Sequence, residues 1–316
     1  MNILDQIRNK ASKSLKTIVL PRSSDERVLK AAHFLSQEGL CNVVLIHNEN
    51  IGFVSDSIQV IDPITSNNLE KYAIAFYEKR KHKGLTEEQA KEIVKDPLFF
   101  AASMVAEDDA DGCVAGSIST TGDVLRAAIQ TIGLKQGSNV VSSIFLMSFD
   151  DGKVFSYGDC AVVPYPTSDQ LATIAIDSAV SHLALTGEEP KVALLSFATK
   201  GSARHERVDL VEEALELAKE KNPLLKIDGS LQFDAAYVDS IGKKKAPDSE
   251  VAGKANVYIF PNLDAGNIGY KITERLAGAS ATGPIIQGLA KPMMDLSRGC
   301  SWEDIVNTSC VAALMS

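Results

Sequence analysis

Short β-branched and apolar runs alternate along the chain with longer stretches of helical period, the pattern of successive β-α units. The runs predict strands over residues 17–20, 42–47, 112–115, 191–196, 257–260 and 284–287. Several helix ends are legible between them. Thr86-Glu87-Glu88-Gln89 has the form of a capping box, and Asp96-Pro97 sets an N-cap before a proline at the first helical position. Ser168 opens a predicted helix that Gly187 closes, with Leu171, Ile174, Val180 and Leu183 assigned to one face. One segment breaks the alternation: residues 145–149 and 153–157 flank Asp150-Asp151-Gly152 and read as a β-hairpin. A hairpin inside an α/β series marks a junction, which places a domain boundary near residue 140.

Length agrees with this division, since 316 residues suit two domains of roughly 150 each. The chain is 45% hydrophobic but only 6% aromatic, and its apolar residues are mostly Ala, Val, Ile and Leu. That composition suits parallel strands covered by helices on both faces. No apolar stretch approaches the roughly 18 residues of a membrane span, and the polar, helical N-terminus lacks a signal-peptide core. A cytoplasmic protein with no membrane partner is expected. The formal charge of −9 argues against nucleic acid as a partner, because a phosphate backbone needs a basic face. It leaves room for a small anion, which a few converging arginines can hold inside an acidic protein. Cys41, Cys113, Cys160, Cys300 and Cys310 have no metal-binding spacing and read as buried free thiols. The five histidines show no ligand spacing either, and His182 reads as a structural residue of a helix, so no metal is expected.

Candidate chemistry concentrates in a few loops. Near the C-terminus an apolar run enters Ser297-Arg298-Gly299-Cys300-Ser301, and a helix begins at about Trp302. Ser297 offers a hydroxyl, Arg298 a planar fork suited to phosphate, and Gly299 room for close approach. Asp304 lies in the first helical turn, where a cap and dipole partner is the plainer assignment. Residues 111–126 read as strand, hydroxyl-rich turn and helix, with Ser119, Thr120 and Thr121 at the turn and Arg126 one turn in. Such a turn favours an anion, although a capped helix with a surface ion pair at Arg126 fits the spacing as well. A basic cluster at 78–84, containing Arg80, closes a helix before Gly84 and suits its C-terminal dipole. Two small-residue loops, 196–202 and 261–271, lie where ligands bind in parallel sheets; the second carries Asn262, Asn267, Tyr270 and Lys271.

Taken together these segments resemble the phosphate acetyltransferase (phosphotransacetylase) family over essentially the whole chain, in its short form. The matching pieces are RKHKG at 80–84, DGCVAGSISTTGDVLRAAIQ at 111–130, SYGDCAVVPYPT at 156–167, LLSFATKGSA at 194–203, DGSLQFDAA at 228–236, FPNLDAGNIGYK at 260–271 and KPMMDLSRGCS at 291–301. The resemblance implies an α/β fold like that of isocitrate and isopropylmalate dehydrogenases, with two three-layer αβα domains flanking a cleft. The C-terminal segment then completes the first domain, giving 1–140 plus 284–316 and 141–283. It implies the reaction acetyl-CoA + phosphate ⇌ acetyl phosphate + CoA through a ternary complex, with CoA as substrate and no bound cofactor. Asp304 is then similar to the family's general base, and Arg298 and Ser297 to its substrate-orienting and carbonyl-stabilising groups. Arg80 and Arg126 resemble further anion-binding arginines, with Ser119, Thr120, Thr121, Asn262, Asn267, Tyr270 and Lys271 as substrate-binding positions. A homodimer is also implied. Three rival assignments share the fold: a phosphate butyryltransferase, a non-catalytic acyl-CoA-sensing module, and a dehydrogenase, for which no convincing cluster of carboxylate metal ligands is present.

Overall fold

The computed structural model describes residues 2–47, 55 and 57–316. The chain divides into two compact α/β units, residues 3–135 with 289–316, and residues 136–288.

The first unit contains β1 (Thr17–Leu20), β2 (Asn42–Ile46), β3 (Ile58–Ile61), β4 (Gly112–Ala115) and β11 (Met293–Asp295). They form a wholly parallel sheet in the order β11-β4-β1-β2-β3. Its helices are α1 (Ile3–Ser14), α2 (Glu26–Gln37), α3 (Leu69–Arg80), α4 (Glu87–Val94), α5 (Pro97–Ala106), α6 (Thr121–Thr131) and α12 (Trp302–Met315). Every residue of β4 and β11 is buried, which requires cover on both faces. Two helix groups supply it: α1 and α2 pack on α12, while α3, α4, α5 and α6 pack together. The C-terminal helix is the centre of the first group. Its residues 305–313 are all buried. α1 buries Ile3, Ile7 and Ala11, spaced by four, and Arg8 Nε donates to Asn307 Oδ1 at 3.0 Å. From α2, Phe34 meets the Trp302 ring edge-on at 5.3 Å. The strand after residue 289 thus forms the edge of this sheet beside β4, and the helix it launches is fixed from two sides.

The second unit contains β5 (Ser142–Ser148), β6 (Val154–Gly158), β7 (Lys191–Leu195), β8 (Lys226–Leu231), β9 (Val257–Ile259) and β10 (Ser280–Gln287). Their order is β10-β5-β6-β9-β7-β8, with β6, β9, β7 and β8 parallel and β10 and β5 antiparallel. Its helices are α7 (Ser168–Thr186), α8 (Glu206–Lys221), α9 (Phe233–Tyr237), α10 (Asp239–Lys245) and α11 (Leu263–Ala277). Alternate strand residues feed two cores. Val192, Leu194, Val257 and Ile259 pack with α7 and α8, and Ala193, Leu195 and Tyr258 with the opposite layer. The β5–β6 hairpin turns through Asp150-Asp151-Gly152, with Gly152 at φ +87°.

Two details differ from the sequence expectation. On α7, Leu171 and Ile174 are buried, but Val180 and Leu183 are about half exposed. Val180 stands nine residues after Leu171, two and a half turns on, so it lies on the opposite side. The buried face is partly polar instead: Ser178 and Ser181 bond the Gln287 side chain at 2.9 Å each. Strands β3, β8 and β11 were not predicted. β8 hides because KIDGSL holds a single β-branched residue, Ile227; its buried Asp228 pairs with Lys200, and Ser230 bonds Glu212.

Candidate active site

Three neighbouring strands of the first sheet, β11, β4 and β1, end side by side, and each leads through a short loop into a helix N-terminus. The C-terminal edge of a parallel sheet is where such folds bind ligands, and helix N-termini there favour anions. After β4 the chain turns at Gly116, whose φ is +101°. A Cβ at that position would lie 2.2 Å from the Leu296 carbonyl oxygen and 2.5 Å from Asp295 Oδ1. Only glycine lets the two loops touch. Leu296 N–H also donates to the Ala115 carbonyl at 2.9 Å. The segment holding Ser119, Thr120, Thr121 and Arg126 is therefore directly beside that holding Ser297, Arg298 and Asp304.

Ser297 to Cys300 form a tight turn, closed by Cys300 N–H donating to the Ser297 carbonyl at 3.0 Å. Ser297, Arg298 and Gly299 are exposed while Cys300 is buried. At Gly299 a Cβ would meet nothing nearer than Ser297 Oγ at 3.7 Å, so the protein's own packing does not require glycine there. Ser301 caps α12, and Asp304 completes a capping box: its Oδ2 accepts from Ser301 N–H at 2.8 Å and Ser301 Oγ at 2.9 Å. The carboxylate is exposed, and no described group bonds its Oδ1. Asp304 therefore does cap the helix, using one oxygen and leaving the other open.

Thr120 caps α6, donating to Asp123 Oδ2 at 2.7 Å, and Arg126 pairs with Asp123 Oδ1 at 3.0 Å on the exposed helix start. An exposed pair of this kind contributes at most about 1 kcal/mol, little enough for an incoming anion to displace. Arg80 ends α3 half-buried, before a 3₁₀ turn and Gly84 at φ +83°. In the other unit, Asn262 caps α11 by accepting from Ala265 N–H at 3.0 Å, and Asn267 Nδ2 donates to the Cys160 carbonyl at 3.1 Å. Tyr270 stacks on Phe145 at 4.1 Å, with the exposed Lys271 ammonium 5.9 Å from its ring. Three of these four residues already hold the loop in shape.

The sequence reading passed over the β1–α2 loop. Arg22 Nε donates to Ser119 Oγ at 3.4 Å and Nη2 approaches Asp96 at 3.5 Å. Arg27, in the first turn of α2, reaches all three loops. Its Nη1 donates to the carbonyls of Arg298 at 2.9 Å and Cys300 at 2.7 Å, and its Nη2 to that of Ser117 at 2.9 Å. Asp25, the α2 cap, takes Nε at 3.1 Å and Nη2 at 2.8 Å. Burial would raise the Asp25 carboxyl, but the Arg27 hydrogen bonds and charge outweigh it and hold it below the usual range. Under the loops lies Asp295, at the end of β11 and 3% exposed. Burial pushes its carboxyl up to about 6, against an opposing hydrogen bond from Thr121. The signal available in the sequence was position alone: LPRSSDER follows a predicted strand and leads into a helix. Among the described residues no group of three or more His, Cys, Asp or Glu side chains is placed to hold a metal.

Residues 2–313 match the family described as phosphate acetyl/butaryl transferase. The chain is 48% identical over 327 aligned residues to the phosphate acetyltransferase of Thermoanaerobacterium thermosaccharolyticum, with all of both chains covered. A phosphotransacetylase structure from Staphylococcus aureus superposes with a TM-score of 0.92 at 42% identity, covering 99% of this chain and 97% of that one. A 4-hydroxythreonine-4-phosphate dehydrogenase structure from Klebsiella pneumoniae shares the fold alone, at 11% identity and a TM-score of 0.54 over 95% and 98% of the two chains.

Proposed function

The chain belongs to the phosphate acetyl/butaryl transferase family, and from that premise we propose how it works as a phosphate acetyltransferase. It transfers an acetyl group reversibly between CoA and phosphate. In the direction of thioester formation, Asp304 Oδ1 takes the proton of the CoA thiol. A thiol of pKa near 8.5 is only a few per cent ionised at neutral pH, so a base at the site is needed. The thiolate attacks the acetyl carbonyl carbon, negative charge moves to the carbonyl oxygen, and the bond to phosphate breaks. Arg298 and the Ser297 hydroxyl meet the developing charge; losing one such donor costs about 3 kcal/mol of barrier. Phosphate leaves as a stable anion, so the step runs without a protein nucleophile. Arg126 and Arg80 hold anionic groups of the substrates, Ser119, Thr120 and Thr121 contribute hydroxyls and helix-start N–H groups, and Asn262, Asn267, Tyr270 and Lys271 are substrate contacts.

The observation that supports this reading best is the row of three helix N-termini with Ser297, Arg298 and the open Asp304 oxygen exposed beside them. A cytoplasmic homodimer belongs to the same reading. All five cysteines are free and buried. On α11, Ile268, Ile272 and Leu276 form an exposed apolar stripe that a second copy would cover. The test is CoA-dependent consumption of acetyl phosphate and butyryl phosphate side by side, with light scattering for the assembly. Acetyl transfer by a dimer is expected; absence of turnover with either acyl phosphate would overturn the assignment.

A further inference from the structure

We infer that Arg27 is the positioning residue of the reaction, the group that sets the conformation of the Ser297–Cys300 turn. The inference rests on the proposal that this turn carries the chemistry, and goes beyond it in naming what holds the turn. The geometry is unusual for a structural arginine. Its five donated bonds within 3.1 Å end on four residues from all three loops of the candidate site: Asp25 after β1, Ser117 after β4, and Arg298 and Cys300 after β11. Two of the accepting carbonyls, those of Arg298 and Cys300, flank Gly299 inside the turn. Drawing both carbonyls toward one guanidinium fixes the backbone on either side of Gly299, immediately after Arg298. The Arg298 side chain and the Ser297 hydroxyl are left on the exposed side.

Asp25 gives the arrangement its rigidity. It accepts Arg27 N–H at 3.0 Å as the helix cap and also takes the guanidinium in a two-pronged ion pair. The Asp25 side chain is only 7% exposed and that of Arg27 33%. The pair neutralises the guanidinium locally, so Arg27 is already fully occupied by the protein. Its role is thus distinct from that of an arginine kept free for substrate phosphate. A lysine cannot reproduce it, since one ammonium with three donors cannot span three carbonyls and both carboxylate oxygens. Misplacing reacting groups by about 1 Å can cost on the order of 10²-fold in rate.

The test compares Arg27→Lys and Arg27→Ala with Arg298→Ala in the acetyl phosphate/CoA assay, each variant checked for folding by circular dichroism. Arg27→Lys should lower kcat at least about 10-fold while KM for CoA changes less than about 3-fold. Millimolar guanidinium ion should restore part of the kcat of Arg27→Ala but none of that of Arg27→Lys, whose ammonium fills the space. Should Arg27→Ala not fold, Arg27→Lys alone decides. Folded Arg27→Lys with kcat within two-fold of wild type, beside an impaired Arg298→Ala, overturns this inference and leaves the site reading intact. If Arg298→Ala is itself fully active, the turn is not catalytic and both fall together.

Discussion

Replacing Asp295 by asparagine should remove a pH dependence of stability that the wild-type protein shows between about pH 4 and about pH 6. Asp295 is buried under the loops at the end of β11, and its Oδ1 has no hydrogen-bond partner among the described residues. Burial disfavours the charged form, raising the carboxyl from the ordinary 3.8 to about 6. The sign follows from linkage. Below about 4 the group is protonated both folded and unfolded and contributes no penalty. As pH rises through about 6 the unfolded chain ionises freely while the folded one resists, so stability falls. A gap of about two pH units corresponds to about 3 kcal/mol at about 1.4 kcal/mol per unit. Asparagine fits the same space without the charge. The stability of Asp295→Asn relative to wild type should therefore improve by up to about 3 kcal/mol between pH 4 and pH 8. At about 2–4 °C per kcal/mol for a unit of this size, melting curves at several pH values will resolve it. The readout is the change in the mutant-minus-wild-type difference, because any fixed packing effect of asparagine cancels. A difference that stays constant across this range would show that Asp295 is not a strained buried carboxyl.

Three further substitutions probe the loops. Gly116→Ala must place a Cβ 2.2 Å from the Leu296 carbonyl at a φ of +101°, so it should destabilise by about 3 kcal/mol or more, read by thermal melting. Arg298→Ala removes an exposed side chain and should leave the melting temperature within about 2 °C while lowering kcat about 10²–10³-fold in the transfer assay. Arg126→Ala breaks only the exposed pair with Asp123, so stability should change by less than about 0.5 kcal/mol; KM for CoA should rise several-fold, and less so at high salt.

Much of this fold is legible in the sequence, and the exceptions have physical causes. Helix ends written as caps, Thr86 with Gln89 and Asp96 before Pro97, form as local chemistry requires, because their bonds span only a few residues. Strand β8 escaped because its buried polar residues depend on Lys200 and Glu212, partners far away in sequence. Leu171, Ile174, Val180 and Leu183 read as one helical face because all four are apolar at roughly helical spacing, whereas nine residues of helical phase put Val180 opposite Leu171. In the candidate site, family motifs pointed to Ser297, Arg298 and Asp304, and spacing alone favoured Asp304 as a cap. Arg27 stayed hidden because its importance lies in four residues that only the sheet order brings together. No pattern within the β1–α2 segment announces them.

The central claim is that Asp304 accepts the CoA proton while also capping α12, and Asp304→Asn separates the two roles. Asparagine can still accept from Ser301 N–H, so the cap largely survives; even complete loss of a cap costs only about 0.5–2 kcal/mol. The proton acceptor is gone. Steady-state transfer from acetyl phosphate to CoA should show kcat reduced at least about 100-fold with a nearly unchanged melting temperature. Near-normal kcat in Asp304→Asn would contradict the account and leave Asp304 as a helix cap.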